Sequence, residues 1–132
     1  MTEYRVKVYN EGGFVYKEWY NLDRQLHRED GPACEWNDGT KHWYQNGKLH
    51  RTDGPAVEWN HGTKMWYING QLHREDGPAI EDINEYKSWW LNNEKLTEQE
   101  FNEMIKKIND NSNSCNGKVV EIDGKKYKLT EI

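Results

Sequence analysis

Aliphatic side chains are scarce in this chain and phenylalanine is nearly missing. Two Phe stand against seven Trp and eight Tyr among 132 residues, and 34% of the sequence is hydrophobic. A thick aliphatic core is therefore excluded; what can be buried is large flat rings that keep a polar edge near water. Two cysteines, Cys34 and Cys115, make neither a disulfide framework nor a metal-binding pattern. There is no basic excess: the formal net charge is −5, which disfavours non-specific attachment to nucleic acid. No apolar run approaches membrane-spanning length and no signal-peptide pattern is visible. The expectation is a cytoplasmic setting with reduced thiols, no membrane partner and no direct nucleic-acid binding.

Proline occurs three times, each time inside one returning stretch. Leu26-His27-Arg28-Glu29-Asp30-Gly31-Pro32-Ala33 comes back as Leu49-His50-Arg51-Thr52-Asp53-Gly54-Pro55-Ala56 and as Leu72-His73-Arg74-Glu75-Asp76-Gly77-Pro78-Ala79, 23 residues apart both times. A fixed period of that size marks a repeat array. Between the copies the chain reads as two short strands. Ala33-Cys34-Glu35-Trp36 and Ala56-Val57-Glu58-Trp59 are the first, closed by Asn37-Asp38-Gly39-Thr40 and Asn60-His61-Gly62-Thr63. Lys41–Gln45 and Lys64–Ile68 are the second, followed by the hairpin signals Asn46-Gly47 and Asn69-Gly70. Cys34 stands where the later copies have Val57 and Ile80, so it is expected to be a small buried apolar residue. The third copy degrades: Glu81-Asp82 replaces Glu-Trp, Glu85 takes a glycine position and Asn92-Asn93 replaces Asn-Gly.

The ends differ from the array. Residues 3–9 alternate and, with 14–20, are expected to form a hairpin over 1–24 that caps the three repeats of 25–96. Thr97-Glu98-Gln99-Glu100 is a capping box opening a helix over 97–109. Phe101, Met104, Ile105 and Ile108 give it one apolar face, expected to cover the open end of the sheet. A polar linker and a last hairpin occupy 110–132, with Glu121 opposite Lys126 and Val120 opposite Tyr127. The fold class is mainly all-β: an antiparallel meander of hairpin repeats with one C-terminal helix and a terminal hairpin.

No catalytic, cofactor-binding or metal-ligating set is expected, and the chain reads as a non-enzyme. His27, Arg28 and Asp30 could supply acid–base chemistry, but the trio occurs three times, and an active site is needed once whereas a turn is needed in every repeat. Three histidines one repeat apart, at about 10 Å, are too far apart to share a metal. The aromatic pairs 43–44, 66–67 and 89–90 point to opposite faces. The Trp column is expected to be core, and Tyr44, Tyr67 and Trp90 are candidate partner contacts. Positions 38/61/84, 42/65/88 and 45/68/91 vary among the copies, which adds His42 and Met65. Acidity concentrates in residues 25–96, with twelve Asp and Glu against eight Lys and Arg. Glu35, Glu58 and Glu81 are the candidate acidic contacts, and Arg28, Arg51 and Arg74 form an alternative anion-binding row.

At Tyr44-x-x-Gly47-x-x-His50 and Tyr67-x-x-Gly70-x-x-His73 the chain resembles the MORN (membrane occupation and recognition nexus) repeat, with the same repeat length and one hairpin per repeat. Arg51 and Arg74 follow the histidines where the family usually has glycine, and Asp-Gly-Pro-Ala replaces its Gly-x-Gly. This version looks like small proteins of tailed phages and large DNA viruses. The resemblance implies scaffolding, partner binding or, in some members, lipid contact, and no catalysis. The expected function is a protein-binding repeat module: a phage-encoded, anti-defence inhibitor of a host protein such as a nucleic-acid-binding nuclease, engaged through an acidic aromatic surface. The alternatives are a sponge for a small anionic nucleotide messenger and a structural scaffold. A homodimer through exposed end strands is a further expectation.

Overall fold

The computed structural model describes residues 4–112, 119–122 and 125–128, with side chains described over 4–111. Strands β1 (Arg5–Glu11) and β2 (Phe14–Tyr20) form the N-terminal hairpin. The first repeat supplies β3 (Cys34–Trp36), β4 (Lys41–His42), β5 (Tyr44–Gln45) and β6 (Lys48–Leu49). The second supplies β7 (Val57–Glu58), β8 (Lys64–Met65), β9 (Tyr67–Ile68) and β10 (Gln71–Leu72). The third supplies β11 (Ile80–Glu81), β12 (Lys87–Leu91) and β13 (Glu94–Leu96). Helix α1 (Glu98–Ser112) and the hairpin β14 (Val119–Ile122) and β15 (Lys125–Lys128) follow.

The array is an antiparallel meander, as the sequence pattern implies. Nine strands run in the order β1-β2-β3-β4-β7-β8-β11-β12-β13, while β5-β6 and β9-β10 form separate small hairpins. The second strand of the first two repeats, expected to be continuous, is divided at its tryptophan, whereas in the third it runs unbroken as β12. The Trp43 N–H donates to the Ala56 carbonyl at 2.7 Å, inside the long sheet, whereas its carbonyl accepts from the His50 N–H at 3.0 Å, inside the small hairpin. Trp66 does the same with Ala79 and His73, and Trp19 with Ala33 and His27. Each of these three tryptophans is thus a residue at which the chain changes partners. The small hairpins turn as Asn-Gly demands: Asn46 and Gly47 have φ of 49° and 81°, both left-handed. Asn92 and Asn93 reproduce this turn without glycine, at 50° and 68°.

Small residues make the centre. Ala33, Ala56 and Ala79 are fully buried, at 0% exposure, and Cys34 and Val57 are buried beside them. The Trp column, expected to be core, is only partly buried, because arginines rather than aliphatic groups cover it (see below). The aliphatic cluster sits at the C-terminal end, where Leu91, Leu96, Phe101 and Met104 pack together with Trp89, Ile105 and Ile108 against them. The capping box forms: the Glu100 N–H donates to the Thr97 hydroxyl oxygen at 3.1 Å, and that hydroxyl donates to the Glu100 carboxylate at 3.0 Å. The helix continues through Ser112, so residues 110–112, expected to open the linker, belong to its last turn. The terminal hairpin keeps the expected register, with Glu121 opposite Lys126 and Val120 opposite Tyr127. Its Asp123-Gly124 turn and Cys115 lie outside the described residues. No described helix is long and apolar enough to cross a membrane.

Candidate functional site

The register of the long sheet sorts side chains onto two faces, because directly opposed residues point the same way. One row reads Lys17, Glu35, Lys41, Glu58, Lys64, Glu81, Lys87, each opposite the next. This charge row alternates in sign across seven strands. The row on the other face reads Glu18, Cys34, His42, Val57, Met65, Ile80, Ser88. The candidate contacts therefore divide: Glu35, Glu58 and Glu81 lie on the charged face, His42 and Met65 on the opposite one. Tyr44 and Trp90 join His42 and Met65. The Tyr44 ring lies 6.5 Å from that of His42, and the Trp90 indole N–H donates to the Ser88 hydroxyl at 2.9 Å. Tyr67 has the same parity as Met65, two residues before it.

On the charged face the repeat motif builds one unit three times. The Arg51 guanidinium lies 3.8 Å from the Trp43 ring centroid. It donates to Asp53 at 2.9 Å, to the Pro55 carbonyl at 3.0 Å and to Glu58 at 3.4 Å. Arg28 covers Trp19 and bonds Asp30, Pro32 and Glu35; Arg74 covers Trp66 and bonds Asp76, Pro78 and Glu81. Each arginine of the alternative anion-binding row already holds two carboxylates, and an incoming anion would have to displace them. The same pairing neutralises the candidate acidic contacts. Trp89, fourth in the column, has Thr97 at the arginine position, and α1 covers it instead.

The glycine of Asp-Gly-Pro is explained by this arginine. A Cβ on Gly54 would lie 2.9 Å from the Arg51 guanidinium carbon, and one on Gly31 or Gly77 3.1 Å from Arg28 or Arg74. The residue gives close approach to the side chain. We expect Gly54→Ala to cost about 1–2 kcal/mol by overpacking, measured by urea unfolding; Gly39→Ala serves as a comparison in which strain, not contact, sets the loss.

The histidines join repeats. Nδ1 of His27, His50 and His73 accepts the N–H of Asn46, Asn69 and Asn92 respectively, each at 3.0 Å. Each bonded amide belongs to the next hairpin turn. Accepting at Nδ1 fixes the neutral Nε2-protonated tautomer. Burial lowers the pKa of His50. His27 and His73 also place Nε2 3.6 Å from Glu29 and Glu75. Among the described residues no group of three or more His, Cys, Asp or Glu is placed to hold a metal.

The opposite face carries a continuous aromatic row. Tyr9 stacks on Tyr16 at 4.2 Å, Tyr16 on Trp36 at 6.1 Å, and His42 meets Trp36 and Trp59 edge-on at 4.8 and 5.2 Å. His61 then stacks on Trp59 at 6.1 Å. Trp59 remains 41% exposed and Phe14 46%. Burial lowers the His42 pKa, and its Nε2 is buried with no hydrogen-bond partner. Burial also raises the phenols of Tyr44 and Tyr67. Trp36, Trp59 and Tyr16 were missed as site residues, although their spacing from Cys34, Val57 and Glu18 on alternating strands already placed them on this face. Cys34 is buried, and burial first, then Glu18, pushes its thiol up to about 12, so it is unreactive.

Position 45/68/91 varies for a structural reason. Gln45 donates to the Arg28 carbonyl at 2.8 Å, Ile68 lines a cleft with Ile105 and Ile108, and Leu91 is buried under the helix. The position becomes apolar as α1 approaches. Comparison of the chain with protein-family models, with curated proteins and with solved structures gives no match.

Proposed function

We propose that the chain is a non-enzymatic protein-binding module whose contact surface is the aromatic face of the long sheet. The observation that carries this reading is the asymmetry of the two faces. The charged face presents exposed Lys17, Lys41, Lys64 and Lys87 opposite glutamates already paired with arginines, so its charges are internally matched. The aromatic row from Tyr9 to His61 instead crosses the opposite face, over buried Cys34 and Val57, with Trp59 and Phe14 exposed. Exposed Trp and Tyr on a rigid sheet supply contact area at low entropic cost. His42, Tyr44, Met65, Tyr67 and Trp90 lie on that face and belong to the proposed surface. Glu35, Glu58 and Glu81 do not, so a host protein would be met by rings rather than by phosphate-mimicking carboxylates. Inhibition of a nuclease remains compatible with this only if the rings make the contact.

The test is affinity capture from bacterial lysate, read by mass spectrometry. The wild-type chain is expected to retain a stoichiometric protein. Trp59→Ser combined with Tyr67→Ser should lose it by roughly thirtyfold in affinity, the size of a hot-spot deletion. Glu58→Gln, on the other face, should retain it. A partner lost with Glu58→Gln and kept by the double variant would overturn the proposal, as would capture of nothing.

A further inference from the structure

The long sheet has an open end at β1. This strand of seven residues pairs with β2 on one side and, among the described residues, with nothing on the other. It is also the least buried strand of the sheet, with Val6 50% and Val8 61% exposed. Such an edge offers a row of unpaired backbone groups to another chain. Natural edges are usually guarded by charge, and β1 carries Arg5, Lys7 and Glu11. The order of these charges decides which strand can add.

We infer that β1 pairs antiparallel with β1 of a second copy of this chain, about a two-fold axis through Val8. A two-fold axis normal to the sheet keeps each face on its own side, and opposed residues must share a face. Only registers that place some residue opposite itself are therefore open. Centred on Val8, Arg5 meets Glu11 of the second copy, and Glu11 meets its Arg5. Val8 meets Val8, Val6 meets Asn10, and Lys7 meets Tyr9. All seven residues are opposed, and both charged pairs at the ends are attractive. Centred on Lys7, two lysines would meet on the axis. Centred on Tyr9, Arg5 and Val6 would have no counterpart within the strand. The sequence Arg-Val-Lys-Val-Tyr-Asn-Glu is thus self-complementary in one antiparallel register, and its charges select a copy of itself.

The pairing has a consequence for the aromatic face. Tyr9 begins the aromatic row and stacks on Tyr16. The two-fold axis sets the rows of both copies on the same side of one continuous sheet, so each would end beside the other. The surface proposed above would then be bivalent, but the pairing rests on β1 alone and stands or falls without it.

The experiment is sedimentation equilibrium from low to high micromolar concentration. The wild-type mass should rise from one chain of 15.8 kDa toward twice that value. Val8→Lys, which opposes like charges on the axis, should stay monomeric. Arg5→Glu makes both end pairs repulsive and should weaken association by roughly tenfold. Arg5→Glu with Glu11→Arg restores both pairs in reverse and should bring association back. Arg5, Val8 and Glu11 are exposed, and unchanged circular dichroism confirms that each variant is folded. A wild-type chain that stays monomeric overturns the inference. So does association that ignores Val8→Lys and Arg5→Glu, or that the charge swap fails to rescue.

Discussion

Replacing Arg51 with alanine is expected to lower stability by roughly 3 kcal/mol, the combined scale of a partly desolvated cation–π contact and charge-assisted hydrogen bonds. Arg51 sits in the middle of the array and is the cover of Trp43. Its side chain is 21% exposed, and it holds Asp53, Glu58 and the Pro55 carbonyl at once. Removing it leaves Glu58, at 33% exposure, without its arginine partner and opens the Trp43 ring to water. Arg51→Lys should recover only part of the loss, because an ammonium cannot lie flat on the ring and reach three acceptors. Urea unfolding followed by tryptophan fluorescence measures both. A loss below about 0.5 kcal/mol for the alanine variant, the range of an ordinary surface change, would show that the arginine only decorates the turn.

Acidification is the second large effect. Burial holds both His42 and His50 below the usual histidine range, so the folded chain prefers them neutral while the unfolded chain protonates them near pH 6.5. Stability rises with pH wherever the unfolded state holds more protons. Their contribution is therefore complete above about pH 7 and is lost as the pH falls through about 6.5 toward the folded values. The slope is bounded by about 1.4 kcal/mol per pH unit for each histidine. At His50 the charged neighbours lining the same cleft are Arg28, Glu29, Asp30, Arg51 and Asp53, and protonation at Nδ1 would set two donors against each other at Asn69. At His42 the surroundings are the rings of Trp36, Tyr44 and Trp59. The next repeat has Met65 at the matching position. His42→Met should therefore raise stability near neutral pH by about 1 kcal/mol, by removing an unpaired buried nitrogen, and should remove its share of the acid slope. Urea midpoints between about pH 7.5 and pH 5, above the carboxylate range, read this directly. Flat midpoints, or an unchanged slope in His42→Met, would contradict it.

Much of the architecture was legible because it depends on local chemistry repeated at a fixed spacing. The period, the left-handed Asn-Gly turns and the Thr97–Glu100 capping box each follow from a few adjacent residues. The division of each second strand at Trp43 and Trp66 was not legible, since alternation continues through the tryptophan while its two backbone groups choose different partners. The extension of α1 to Ser112 was missed because Asn, Asp and Ser have weak helix preference, which a helix already anchored by Phe101 and Met104 overrides. The candidate surface was half legible. Glu35 is adjacent to Trp36, so the period of two already separates carboxylates from rings. Grouping them as one acidic aromatic surface overlooked Lys17, Lys41, Lys64 and Lys87, which stand opposite the glutamates. The arginine–tryptophan contact has no such signature, because it joins residues eight or nine apart through a turn whose path the sequence does not dictate.

The seven tryptophans make a direct measurement of which face binds. Trp36, Trp59 and Trp90 lie on the aromatic face, whereas Trp19, Trp43 and Trp66 lie beneath arginines and Trp89 beneath the helix. In a chain labelled with nitrogen-15, each indole N–H gives one resonance, and the captured partner protein can be titrated against all of them at once. Binding through the aromatic face requires the resonances of Trp36, Trp59 and Trp90 to shift or broaden while those of Trp19, Trp43 and Trp66 stay in place. Movement confined to Trp19, Trp43 and Trp66 would put the partner on the arginine-covered face and contradict the proposed function.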